Sequence, residues 1–126
     1  MNRSRAPILK LGSTLIASVQ EALVDADLVG LRDELVAEVK AYRATGVIID
    51  VTVLDVLDSF AARTLRNIAQ MTQLIGARTV IVGIQPDVAF SMVQLGLTLQ
   101  GTETALDLEE GLALLDLKFG RTRHAQ

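Results

Sequence analysis

Apolar positions along the chain change period several times, and each change marks an element. Ile8 to Leu11 and Thr14 to Val19 are short β-prone runs flanking Gly12 and Ser13, a spacing that predicts a hairpin at one edge of a sheet. From about Asp25 the interval lengthens: Leu28, Leu31, Leu35, Val39 and Tyr42 recur every three or four residues, on one face of a helix. Asp25 or Asp27 is the expected cap at its start, and Gly46 is expected to follow its end. The stretch GVIIDVTVLDVLDSFAA, Gly46 to Ala62, then reads as a strand, a short acidic connection and the start of a helix at Ser59. Val47, Ile48, Ile49 and Val51, interrupted only by Asp50, are apolar and β-branched enough to be covered on both faces, which predicts a central parallel strand.

Beyond Ser59, the residues Leu65, Ile68, Thr72 and Ile75 mark the inner face of a second helix closed by Gly76, with Arg63, Arg66 and Asn67 opposite. Thr79 to Val82 predicts another parallel strand. GIQPD turns the chain into a third, short helix with Pro86 in its first turn and Ala89, Met92 and Val93 on its inner face. Leu97 to Leu99 is the expected edge strand, and Leu108, Leu112, Leu115 and Phe119 define a last helix from near Asp107. The order β-β-α-β-α-β-α-(β)-α predicts an α/β fold: a mostly parallel sheet of four to five strands with about four helices packed on it through right-handed crossovers. The ordered core is expected to span about residues 7–119 of a single domain, with polar tails at both ends.

Composition narrows the function classes. Half of the 126 residues are hydrophobic, ample for one core, yet only 3% are aromatic, so no platform for stacking bases is predicted. A net charge of -3 argues against nucleic acid, which needs a concentrated basic surface. Without cysteine there is no disulfide, thiolate nucleophile or thiolate-held metal, which fits a cytoplasmic protein. No uncharged apolar stretch reaches the roughly 18 residues of a membrane-spanning helix, and the block Ile8 to Leu11, broken by Lys10, is too short for a signal-peptide core.

Candidate chemistry concentrates after the central strand. In open α/β sheets the loops leaving the carboxyl ends of the strands form the functional edge, so the Ser59 hydroxyl is a candidate for a ligand, a partner or a modification; its alternative role is to cap the helix. Asp55 and Asp58 read as a cap and a favourable charge at the helix start, or else as the acid/base or metal-holding pair of a small metal-dependent enzyme. Glu109 and Glu110 have the capping explanation at the last helix. Arg63 and Arg66, one turn apart, form a solvated face or a place for a phosphate or an acidic partner. Gln85 is a turn residue at the same edge, available for contact. Neither GxGxxG nor a GxxxxGK loop followed by Ser or Thr is present, the only imidazole, His124, lies in the tail, and no cofactor is predicted.

PILKL at Pro7 to Leu11, GVIIDVTVLDVLDSF at Gly46 to Phe60, GIQP at Gly83 to Pro86 and TALDLEEGL at Thr104 to Leu112 occur in an order and spacing that resembles the STAS family of bacterial anti-sigma-factor antagonists. Within it the chain is similar to the RsbS-type scaffolds of the stressosome. The resemblance implies a switch serine after an aspartate at the start of the second helix, a pattern that Asp58-Ser59 matches. It implies that Ser59 is phosphorylated by a switch serine/threonine kinase (RsbT-like) and dephosphorylated by a serine phosphatase. It also implies that the chain assembles into homo- or hetero-oligomers with paralogous STAS sensor scaffolds (RsbR-like) and sequesters the kinase. Phe60 belongs with Asp55, Asp58, Arg63, Arg66 and Gln85 among the implied partner contacts. The N-terminal tail is too short for an added sensory domain, so a single-domain member is expected. A simple anti-sigma-factor antagonist is the alternative role.

Overall fold

Period-two alternation is built into the inner strands, and it sorts side chains onto two faces of one sheet. The computed structural model describes residues 6–20, 24–99 and 101–116. Its elements are β1 (Ile8–Leu11), β2 (Thr14–Ser18), α1 (Asp25–Tyr42), β3 (Gly46–Asp50), α2 (Ser59–Leu74), β4 (Arg78–Val82), α3 (Pro86–Gln94), β5 (Glu103–Ala105) and α4 (Leu108–Leu115). The strands lie side by side in the order β1-β2-β3-β4-β5. The hairpin β1-β2 is antiparallel, with Leu11 opposite Thr14, and every other pairing is parallel. The resulting mixed, mostly parallel sheet with four helices is the α/β architecture the apolar pattern predicts.

Val47 and Ile49 of β3 face one core with Leu15, Ala17 and Ile81, while Ile48 faces another with Ile16, Val80 and Val82. The first core is the larger and is closed by α1, α2 and α3 through Leu28, Leu31, Leu35, Val39, Leu65, Ile68, Val88 and Met92. The second is covered by α4, whose Leu115 is buried and whose Leu108 and Leu112 are half-buried. α4 lies close to the strands because Gly111 faces them: a Cβ there would stand 2.8 Å from Val82 Cγ1. Across the first face, the buried Thr72 and Thr79 hydroxyls share a hydrogen bond of 2.8 Å that ties α2 to β4.

Several expectations need correction. Tyr42 is 51% exposed and its ring sits under the Lys10 ammonium at 3.4 Å, because the last turn of α1 overhangs the edge hairpin, where an amphipathic ring can meet a cation. α1 starts after Val24, which has no side-chain acceptor, and Asp27 accepts from the Val24 N–H at 3.4 Å. It ends at Arg43, which takes the left-handed conformation (φ 55°), while Gly46 already belongs to β3. Ile75 caps the end of α2 at 46% exposure and does not face the core. The inner face of α3 is Val88 and Met92; Ala89 and Val93 are exposed. Both pairs have the same spacing of four, so the apolar pattern cannot choose the phase of a helix of 9 residues. The edge strand is Glu103–Ala105, not Leu97 to Leu99, whose leucines pack half-buried on the larger core. Phe119, His124 and the C-terminal tail lie outside the described residues.

Candidate functional site at the β3–α2 junction

At the carboxyl end of the sheet two neighbouring loops are joined by hydrogen bonds. The Asp50 carboxylate at the end of β3 accepts from the Thr52 N–H at 2.9 Å and from the Thr52 hydroxyl at 2.6 Å, an Asx-type turn that bends the chain out of the strand. The Val51 N–H still donates to the Val82 carbonyl at 3.0 Å, and the Leu54 N–H to the Val51 carbonyl at 2.9 Å. From the loop after β4, the Gln85 side-chain amide donates to the Thr52 carbonyl at 2.6 Å. Gly83, at φ 84°, allows this approach: any Cβ there would collide with the Thr52 hydroxyl and stand 3.1 Å from the Thr52 Cα. Leu54 and Leu57 anchor the same loop from below as members of the larger core.

On this frame α2 begins. Its N-cap is Asp58, whose carboxylate accepts from the Ala61 N–H at 2.8 Å. Ser59 is the first helical residue and is exposed, so its hydroxyl is not the cap that the residue type alone suggested. The cap falls one residue earlier because Asp58 has the extended backbone (φ -81°, ψ -180°) a cap requires. Asp55 is exposed in the connection, Arg63 is exposed on α2 and Arg66 is half-buried. Phe60 is half-buried and packs against the larger core, and Gln85 is engaged with Thr52. Ser59, Asp58, Asp55 and Arg63 thus share the solvent-facing rim of the β3–α2 junction.

Two exposed apolar residues of the connection, Val53 (53%) and Val56 (72%), escaped sequence reasoning. The signal was present, because Leu54 and Leu57 share a spacing of three with Val53 and Val56, and one pair had to face outward if the other was buried. At the last helix, Asp107 accepts from the Glu110 N–H and Glu110 accepts from the Leu106 N–H, each at 2.9 Å, so the two carboxylates satisfy two backbone donors at the helix start. Among the described residues no three His, Cys, Asp or Glu side chains come together as a metal site, and no helix is long and apolar enough to cross a membrane. Asp55 and Asp58 therefore belong to no such group of three.

Residues 6–110 match the STAS domain family. The chain belongs to the STAS family. Among solved structures, RsbS of Moorella thermoacetica carrying a serine-to-glutamate substitution is 34% identical, with a TM-score of 0.78, over 90% of this chain and 97% of that one. A chain from the molecular architecture of the stressosome, a signal integration and transduction hub, is 31% identical with a TM-score of 0.71 over 88% and 96%. The RsbT co-antagonist protein RsbRA of Bacillus subtilis (strain 168) is 29% identical over 82 residues, which cover 65% of this STAS chain but only 30% of that relative's own length. The match thus covers nearly the whole of both solved chains and only part of the larger co-antagonist.

Proposed function

We propose that this STAS domain is a non-enzymatic, cytoplasmic scaffold of a stressosome-type complex that holds a switch serine kinase and releases it when Ser59 is phosphorylated. The observation that carries the reading is the division of labour at the start of α2. Asp58 takes the capping bond, so the Ser59 hydroxyl is left exposed on a junction held by Asp50, Thr52 and Gln85. The 34% identity to RsbS supports the scaffold role over that of a simple anti-sigma-factor antagonist. In this reading the docked surface is the junction rim: Asp55, Asp58, Arg63 and Arg66 supply charge, and Phe60 and Gln85 hold its shape.

A phosphate would add about -1.5 to -2 charges and three acceptor oxygens. At the exposed helix start it is favoured by about 0.3 to 1 kcal/mol through the helix dipole, and Asp58 and Asp55 oppose it by a similar amount, so the domain keeps its fold. In a docked interface the phosphoserine must be stripped of water with no counter-charge supplied by the kinase, which costs several kcal/mol. A loss of about 3 to 4 kcal/mol is two to three decades in affinity. Ser59→Asp is therefore expected to weaken kinase capture and Ser59→Ala to retain it, read by titration calorimetry. Equal capture by Ser59→Asp and wild type would contradict the switch.

Incubation with a switch serine/threonine kinase of the RsbT type and ATP, followed by peptide mass mapping, tests the site: added mass at another residue removes the assignment. Light scattering of the chain alone and mixed with a paralogous STAS protein tests assembly, and a monomer in both samples counts against the scaffold. Co-purification with an anti-sigma factor in place of a larger STAS partner would favour the antagonist.

A further inference from the structure

We propose that Arg63 is the intramolecular receptor for a phosphate on Ser59, drawing the modified side chain along α2 instead of leaving it free in solvent. The inference rests on the switch reading for the existence of the phosphate, and on the surface of α2 for its fate. Ser59, Arg63 and Arg66 stand at i, i+4 and i+7 of one helix, so they line a single stripe, with Arg63 one turn beyond Ser59. Because Cα–Cβ bonds tilt toward the N-terminus of a helix, the Arg63 side chain leans back toward residue 59.

Nothing else on the helix competes for that guanidinium. Its neighbours at three and four positions are Phe60, Arg66, Ser59 and Asn67, none of them acidic. The Asp58 carboxylate is engaged with the Ala61 N–H. Neither arginine has an ion pair among the described residues. In the unmodified chain the stripe therefore sets two like charges a turn apart with no counter-ion, an arrangement that is mildly unfavourable on a helix. A dianion at position 59 supplies the missing partner, and the planar guanidinium fork matches its oxygens two at a time. Arg66, a further turn away and half-buried, adds to the field without reaching the first pair. Phosphorylation would then change the rim twice, by adding an anion and by withdrawing the Arg63 cation from any docked partner.

The test places phosphoserine at position 59 during translation of the full chain and follows its phosphorus-31 NMR signal across pH. The second ionisation of phosphoserine lies near 6. With Arg63 present it is expected to fall about 0.5 lower than in Arg63→Gln carrying the same phosphoserine. Arg63→Lys should recover about half of that difference, since an ammonium is a point charge, and salt near 1 M should shrink it. Superimposable titrations of wild type and Arg63→Gln overturn the proposal, as does a change seen only in Arg66→Gln. Because the phosphate is installed without a kinase, a kinase that leaves Ser59 untouched would sink the switch reading on its own and leave the outcome of this titration standing.

Discussion

Asp58 and Ser59 are adjacent polar residues with opposite fates: one is bound to the backbone of α2 and the other is not. That difference is measurable. Asp58→Ala removes a cap and is expected to lower stability by about 1 kcal/mol, seen as a lower urea midpoint at unchanged slope. Asp58→Asn retains an acceptor and should stay close to wild type, and Ser59→Ala should change stability by less than about 0.5 kcal/mol. A Ser59→Ala protein as unstable as Asp58→Ala would mean that the serine, not the aspartate, closes the helix. Either residue type serves as a cap, so the pair DS was ambiguous; the extended backbone at Asp58 decided it. The position of Ser59 at the start of a helix after the central strand was legible all the same.

At the scale of elements, the site depends on two loops far apart in sequence. Thr52 and Gln85 are separated by 33 residues yet joined at 2.6 Å, and the contact requires a residue without Cβ at position 83. Gly83→Ala combines an unfavourable left-handed conformation with a collision against Thr52, so it is expected to destabilise the domain by more than about 1 kcal/mol. It should also speed hydrogen exchange at the Val51 and Leu54 amides, whose bonds shape the loop. Adding Thr52→Ala removes the side-chain collision but not the backbone strain, so rescue should be partial; full rescue would show that the conformation at position 83 is not strained. Element types and order were legible from period alone, from the hairpin through to α4. The phase of α3 and the edge strand were not, because Val88 with Met92 and Ala89 with Val93 are equivalent patterns, and β5 is a strand of only 3 residues.

At the scale of the molecule, the sheet separates two cores that share no packed side chains: Leu35 of α1 belongs to one and Ile48 of β3 to the other. Leu35→Ala is expected to cost about 2 to 5 kcal/mol and Ile48→Val about 0.5 to 1.5 kcal/mol. The double variant should equal the sum within about 0.5 kcal/mol, measured by urea denaturation. A larger departure would mean that strain passes through the sheet from one helical layer to the other. The same layering leaves the carboxyl edge of the sheet uncovered at the β3–α2 junction, which is why Ser59, Val53 and Val56 all reach solvent there.

By itself the order of residues determined which segments become strands and helices, that β3 is covered on both faces, and that a serine opens α2 beyond the strand end. Those are local matters, set by side-chain period and by turn chemistry over a few neighbouring positions. Tertiary structure alone decided which of two adjacent polar residues caps α2, which apolar pair of α3 turns inward, where the sheet ends, and that Gln85 clasps the Thr52 loop. Each of these is settled by a contact between residues distant along the chain, or by backbone geometry that such contacts impose, and no local pattern records it.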